Sequence, residues 1–169
     1  MQARTLFASL VLASVAATAQ FQKTPLQPPA HPNPQLYPAN ANAVEEIHEA
    51  TAQAAKEHKR ILLVFGGNWC VDCHVLDNAF HRARIAPLLN DNFLVVHVDV
   101  GQYTKNLDLA KKYHIDLEKG VPAIAVLNMS GGLLYSTSEF EKARLLTEED
   151  VLAFLNAWKP PHPAAAVAK

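Results

Sequence analysis

Residues 65–73 of the chain read Phe-Gly-Gly-Asn-Trp-Cys-Val-Asp-Cys, which places Cys70 and Cys73 three positions apart. A short continuous apolar run, Ile-Leu-Leu-Val-Phe at residues 61–65, leads into this stretch and is typical of a strand buried on both faces. The two glycines allow a tight turn, and the apolar residues of 71–81 then recur at helical spacing. The stretch therefore predicts a CxxC pair at a strand-to-helix junction.

The two cysteines are the only ones among the 169 residues. A secreted domain held together by disulfides normally carries several cysteines spread along its chain, whereas these two enclose only Val71 and Asp72. By the chain-entropy argument, a bridge that closes so small a loop adds little stability. We therefore interpret the pair as chemical rather than structural.

The rest of the chain alternates between helical and strand patterns. Asn42 is well placed to cap the first helix. We expect helices at residues 43–58, 71–81, 85–89, 107–113 and 147–158, and strands at residues 61–65, 93–100, 123–127 and 133–136. This order predicts an α/β fold in which the first strands pair in parallel and the last two form an antiparallel hairpin.

The two ends of the chain differ in composition from the middle. Residues 1–19 combine Arg4, an apolar run and an Ala-Thr-Ala ending, which predicts a cleaved signal peptide and a periplasmic or secreted protein without stable membrane insertion after cleavage. The apolar run is shorter than the roughly twenty residues that a membrane-spanning helix needs. Prolines predict an extended linker over residues 20–41 and a disordered tail over residues 159–169. A single domain, residues 42–158, lies between them.

The charged residues nearly balance. Fifteen Lys and Arg side chains against sixteen Asp and Glu side chains leave a net charge of -1. A protein that binds a polyanion usually carries an excess of positive charge, so this balance weighs against nucleic acid as a partner.

A second motif, Gly-Val-Pro-Ala at residues 120–123, follows the CxxC pair by about fifty residues. Together with the Trp before the first Cys and the predicted terminal hairpin and helix, it makes residues 43–158 resemble the thioredoxin superfamily. The form Asn-Trp-Cys-Val-Asp-Cys-His is similar to thioredoxin-like domains of exported thiol-disulfide interchange proteins. The resemblance implies a thioredoxin fold, with a central mixed sheet of about four strands, helices on both faces and a C-terminal β-hairpin plus helix.

The resemblance also implies a thiol-disulfide oxidoreductase acting on exported proteins. The nucleophile would be Cys70, because the N-terminus of a helix favours a thiolate, and Cys73 would resolve the mixed disulfide. The partners would be protein thiols or disulfides and an unidentified redox partner. We expect a monomer, no metal, and no cofactor besides the Cys70–Cys73 disulfide.

In this superfamily a cis-proline loop faces the CxxC pair, so the resemblance implies that Pro122 is cis. It further implies that Val121 offers its backbone to an extended substrate segment and that Trp69 shields the disulfide and contacts the substrate. The alternatives are an ordinary trans proline at the start of an edge strand and a Trp69 that serves only core packing.

One departure from the superfamily concerns proton transfer. Many thioredoxins bury an aspartate six residues before the first Cys, where this chain has Val64. Asp77, one helical turn beyond Cys73, is the candidate proton acceptor for the resolving thiol. The alternative is that Asp77 is a solvated helix residue.

One acidic side chain lies between the two cysteines, and one histidine follows the second cysteine. The negative charge of Asp72 should oppose a thiolate on Cys70 and so favour the disulfide, which tilts the protein towards reductant. A protonated His74 would act in the opposite direction.

Three other functions fit parts of the same stretch. The sequence Cys-Val-Asp-Cys-His also satisfies the CxxCH motif of c-type haem attachment. Zinc could use Cys70, Cys73 and one of the eight histidines, although no second CxxC or close His pair completes a tetrahedral set. The third possibility is a thioredoxin-fold binding module without catalysis.

Overall fold

The computed structural model describes residues 23–161, so the expected signal peptide and all but the first residues of the expected tail lie outside the described part. The helices are α1 (Ala43–Glu57), α2 (Val71–Phe80), α3 (Ile85–Asn92), α4 (Leu107–Lys112) and α5 (Glu148–Trp158). The strands are β1 (Arg60–Gly66), β2 (Phe93–Asp99), β3 (Ala123–Leu127) and β4 (Leu133–Thr137). Within residues 23–161, no helix is both long and apolar enough to cross a membrane.

The four strands form one mixed sheet in the order β2-β1-β3-β4. Strand β1 lies at the centre, parallel to β2 and antiparallel to β3, with Leu63 opposite both Val96 and Ala125. Strand β4 completes an antiparallel hairpin with β3. The prediction of parallel pairing first and a hairpin last is therefore confirmed, and so is the α/β thioredoxin fold.

The side chains of β1 alternate between two hydrophobic cores, one on each face of the sheet. Leu63 and Phe65 belong to the core that includes residues of α1 and α4, whereas Leu62 and Val64 belong to the core that includes residues of α2, α3 and α5. Both faces of β1 are fully covered, as its continuous apolar run predicts. Both cysteines lie in the first of these cores.

Side-chain caps fix two helix N-termini that flank the sheet. Asn42 Oδ1 accepts a hydrogen bond from Glu45 N at 3.3 Å, which confirms the predicted cap of α1. At α5, Thr147 and Asp150 form a reciprocal capping box. These caps explain why both helices begin where the sequence indicates.

The proline-rich segment before α1 packs against the domain. It has almost no regular secondary structure, as its prolines predict, but Leu26, Leu36 and Tyr37 are buried. Leu26 N donates a hydrogen bond to Leu146 O at 2.7 Å. The expectation of a linker therefore needs correction for residues 23–41, because their few apolar side chains complete both cores.

The segment between β4 and α5 is also part of the core. Phe140 and Ala143 are buried, and a short 3-10 helix covers Ala143–Leu145. This helix lies beside α2 and carries Arg144 towards the CxxC pair.

Candidate active site

The two cysteines form a disulfide at the start of α2. Cys70 is the N-cap of this helix, and Cys73 N donates a hydrogen bond to Cys70 Sγ at 3.1 Å. Both sulfur-bearing side chains are buried. A thiolate on Cys70 would keep this hydrogen bond and would lie at the positive end of the helix dipole, so the geometry favours charge on Cys70.

The loop before β3 faces the disulfide. The Val121–Pro122 peptide bond is cis, which confirms the expected conformation of Pro122. Cys70 Sγ lies 3.4 Å from Val121 O. The CxxC pair and the cis-proline loop, which are about fifty residues apart in sequence, thus meet at one site.

Trp69 lies at the rim of the site rather than in the core, with 42% of its surface exposed. Its Nε1 donates a hydrogen bond to Gly101 O at 2.6 Å, and its ring lies 5.5 Å from that of Tyr103. Val71 and Leu107 are exposed apolar side chains as well. Tyr103 and Leu107 line one surface depression next to Trp69, and exposed apolar side chains that lie together are typical of a binding surface.

Asp72 is buried and paired with Arg144. Arg144 Nη2 lies 3.0 Å from Asp72 Oδ2, and Arg144 N donates a hydrogen bond to Asp72 Oδ1 at 2.9 Å. The carboxylate expected to act on Cys70 is therefore partly compensated by a cation. No local pattern indicates this partner, because the two residues are separated by 72 positions.

His74 is buried behind the CxxC pair. Its Nε2 lies 2.9 Å from the carbonyl oxygen of Asn68, while its buried Nδ1 has no hydrogen-bond partner among the described residues. A carbonyl oxygen only accepts, so Nε2 carries a proton in this contact. A proton on Nδ1 would be a buried donor without an acceptor among the described residues.

The haem and zinc alternatives find little support in this geometry. Thioether attachment would consume the same two sulfurs that form the Cys70–Cys73 disulfide. An axial His needs a free nitrogen directed at an open space, but His74 is buried with Nε2 on Asn68 O. Within residues 23–161, no group of three or more His, Cys, Asp or Glu side chains is arranged to hold a metal ion.

Asp77 lies on α2 and faces two histidines. Its Oδ1 is 4.0 Å from His97 Nε2 and 3.9 Å from His81 Nδ1. Burial lowers the pKa of His97 below its ordinary value, and the Asp77 carboxylate partly offsets this shift. Asp77 is mostly buried, so it is not the freely solvated helix residue of the alternative interpretation.

Tyr37 is a residue of the site that the sequence analysis missed. Asn68 holds its backbone with two hydrogen bonds, since Tyr37 N donates to Asn68 Oδ1 at 2.9 Å and Asn68 Nδ2 donates to Tyr37 O at 2.7 Å. A Cβ built on Gly66 would clash with the Tyr37 hydroxyl and would lie 2.6 Å from Cys73 Sγ. The available signal was that Tyr37 is the only aromatic residue of 23–41.

Comparisons with known proteins agree with this geometry. The family model described as thioredoxin-like matches residues 42–128. A disulphide isomerase from Xylella fastidiosa Temecula1 is 34% identical and superposes with a TM-score of 0.69, over 72% of this chain and 95% of that one.

More distant structures share the fold. The oxidised C-terminal domain of DsbD from Neisseria meningitidis is 15% identical, with a TM-score of 0.54 over 70% of this chain and 97% of that one. A thioredoxin from Thermus thermophilus is 19% identical, with a TM-score of 0.50 over 65% of this chain and 81% of that one. No curated protein matches the chain significantly. From the matched family model, the 34% identical relative and the disulfide at the start of α2, the chain belongs to the thioredoxin-like family and carries the CxxC pair of a thiol-disulfide oxidoreductase.

Proposed function

We propose that the protein reduces disulfides in exported proteins, with Cys70 as nucleophile and Cys73 as resolving thiol. The observation that carries this proposal is the position of Cys70 Sγ. It caps α2 through Cys73 N at 3.1 Å and lies 3.4 Å from Val121 O of the cis-proline loop. The reactive sulfur is thus held between a thiolate-stabilising helix end and a backbone that can align a substrate.

The proposed reaction has two displacement steps. The Cys70 thiolate attacks one sulfur of a substrate disulfide, and the electron pair of the broken S–S bond leaves on the other substrate sulfur. The Cys73 thiolate then attacks Cys70 Sγ and releases the second substrate thiolate. Two electrons pass to the substrate, and the protein is left with the Cys70–Cys73 disulfide. A redox partner that remains unidentified restores the dithiol.

Substrate binding is assigned to Trp69, Val121 and Pro122. The exposed indole of Trp69 offers an apolar contact beside the disulfide, and the loop at Val121 and Pro122 offers backbone groups for strand addition. An unfolded or extended segment of a protein substrate suits this combination, because it presents both free backbone groups and apolar side chains.

Asp77 is the proposed proton acceptor for Cys73. It lies one helical turn beyond Cys73 on the same helix and is largely shielded from solvent. No acid is available at the position of Val64, which is apolar and buried. The Asp77 carboxylate on α2 is therefore the group proposed to accept the proton of Cys73 as a general base.

Reduction is the proposed direction because Asp72 lies in the first turn of α2, where its charge opposes the Cys70 thiolate. Arg144 weakens this effect without removing it, since the guanidinium is 59% exposed and screened by water. Isomerisation is the second candidate, because the 34% identical relative is described as a disulphide isomerase. The composition of residues 1–19 supports a periplasmic or secreted location.

The test is the reduction potential of the Cys70–Cys73 couple, measured by equilibration with dithiothreitol or glutathione buffers and thiol alkylation. A value near about -270 mV supports a reductant, and one near about -180 mV supports an isomerase. A value near about -120 mV would instead indicate an oxidant and would overturn the proposed direction. The absence of a titratable dithiol would overturn the redox function itself.

A further inference from the structure

Tyr37 brings a buried hydroxyl to the back of the CxxC pair. The side chain is 1% exposed, and its Oη has no hydrogen-bond partner among the described residues. A buried hydroxyl without a partner loses its hydrogen bonds to water and gains none in return, so such groups are rare. The unpaired hydroxyl of Tyr37 is therefore expected to gain a hydrogen-bond partner in another state of the protein.

The neighbour of this hydroxyl is the resolving cysteine. The space that a Gly66 side chain would occupy is bordered both by Tyr37 Oη and by Cys73 Sγ, which lies 2.6 Å from the Cβ position. The oxygen and the sulfur therefore border the same small space, without a hydrogen bond between them in the disulfide form. In the disulfide, Cys73 Sγ is only a weak acceptor, but after reduction it can carry a full negative charge.

Burial and two nearby carboxylates keep the Tyr37 hydroxyl protonated. Burial, followed by the charges of Asp77 and Asp99, raises the pKa of Tyr37 well above its ordinary value. The ring of His97 meets that of Tyr37 edge-on, with the centroids 5.2 Å apart, and His97 itself favours the neutral form. Tyr37 can therefore donate a proton in a hydrogen bond at neutral pH, but it does not act as a base.

We propose that Tyr37 is a positioning residue for Cys73, whose hydroxyl donates a hydrogen bond to the Cys73 thiolate. This inference rests on the proposed two-cysteine exchange and adds a group to it from outside the matched family region, residues 42–128. When a thiolate attacks Cys70 Sγ, the S–S electron pair moves to Cys73, and the hydroxyl of Tyr37 stabilises that charge. In the opposite step the same hydrogen bond maintains Cys73 as the thiolate that attacks Cys70.

Asn68 fixes the position of Tyr37 relative to the CxxC pair. Its side chain makes two hydrogen bonds to the Tyr37 backbone and is only two residues from Cys70 in sequence. The segment that carries Tyr37 is thereby fixed to the turn that carries the CxxC pair. A displacement of the turn moves the hydroxyl with it, so the donor stays aligned with Cys73.

The first experiment titrates the Cys73 thiol by its ultraviolet thiolate absorbance in a Cys70→Ser variant, with and without Tyr37→Phe. The phenyl ring keeps the packing and removes only the donor. We expect the titration midpoint of Cys73 to rise by about one pH unit, a tenfold loss of thiolate at a pH below both midpoints. Tyr113→Phe, which removes the hydroxyl of another tyrosine whose side chain belongs to the same core, is the control and should leave the midpoint unchanged.

A kinetic readout separates this role from a merely structural one. In the two-cysteine protein, Tyr37→Phe should move the pH profile of mixed-disulfide resolution to higher pH, with the two rates converging where Cys73 is fully ionised. A uniform loss of rate at all pH values, or an unchanged titration midpoint, would overturn the role of Tyr37. Because the Cys73 titration needs no turnover, it tests Tyr37 even if the proposed reductase activity fails.

Discussion

Arg144 Nη2 lies 3.0 Å from Asp72 Oδ2, so a side chain from the segment before α5 neutralises part of the charge at the N-terminus of α2. Asp72 is buried and also accepts a hydrogen bond from the Arg144 backbone at 2.9 Å. The electrostatics of Cys70 therefore depend on a residue that lies far away in the sequence. The pair links the proposed tuning of Cys70 by Asp72 to the segment between β4 and α5.

The first prediction concerns Arg144→Gln. The substitution leaves the Asp72 carboxylate without its cation, which should disfavour the Cys70 thiolate and make the reduction potential more negative. Because the guanidinium is largely exposed, we expect a shift on the order of 10 mV, corresponding to roughly half a kcal/mol. Equilibration with dithiothreitol buffers measures it.

Arg84→Gln is the matched control for this experiment. Arg84 is comparably exposed, at 61%, but pairs with Glu149 at 2.8 Å on α5. Its removal should leave the potential unchanged. Asp72→Asn should move the potential in the opposite direction from Arg144→Gln, and the same sign for both variants would contradict the electrostatic explanation.

The second prediction concerns the order of the two thiols. Cys73→Ser should accumulate mixed disulfides through Cys70, because the serine hydroxyl does not displace the substrate thiol. Cys70→Ser should form none. Mass spectrometry after incubation with a disulfide-containing protein measures both species, and a Cys73→Ser protein that turned over normally would rule out the resolving role.

The third prediction uses the buried imidazole of His97. Its pKa is lowered by burial, so the unfolded chain takes up a proton more readily than the folded protein does. The free energy of unfolding should therefore fall as the pH drops below the ordinary value of 6.5, and it should be fully restored above that value. Urea unfolding across this range measures the effect.

In His97→Gln this acid-side loss should become shallower, by at most about 1.4 kcal/mol per pH unit for one proton. The control is His48→Gln, because the His48 side chain is 78% exposed. An identical pH slope in the His97→Gln and unmodified proteins would exclude His97 as the group responsible.

The fourth prediction concerns the attachment of the N-terminal segment. Asn68→Ala removes both hydrogen bonds to the Tyr37 backbone and leaves two buried or half-buried groups without partners. We expect a loss of roughly 1–3 kcal/mol in unfolding free energy and faster proteolysis within residues 23–41. Asn78→Ala, which removes a single exposed hydrogen bond to Gln27 O, should show a much smaller change.

Sequence patterns correctly predicted the helix caps and strand bounds that depend on residues close together in the chain. The cap at Asn42 and the bounds of β3 follow from side-chain chemistry and apolar runs, and the structure has both as expected. Helix α3 runs to Asn92 rather than Leu89, because the chain stays helical until β2 begins at the next residue. Such boundaries depend on where neighbouring elements meet, which periodicity alone does not indicate.

Long-range contacts were not predictable in the same way. Proline density correctly excluded helix and strand from the N-terminal segment, but it carries no information on whether a single Leu26 or Tyr37 is buried. The partners of Asp72 and Tyr37 lie 72 and 31 positions away. The charge of Asp72 was visible in the sequence, whereas its partial neutralisation was a property of the fold.

The matched family model begins at residue 42, whereas the residues packed behind the cysteines include Tyr37. The start of that match and the start of the packed domain are thus different places in this chain. A fragment cut at Asn42 would keep every motif of the family and yet open the space over Gly66 to water. Residues before the homologous region should therefore be kept whenever the domain is excised or grafted onto another protein.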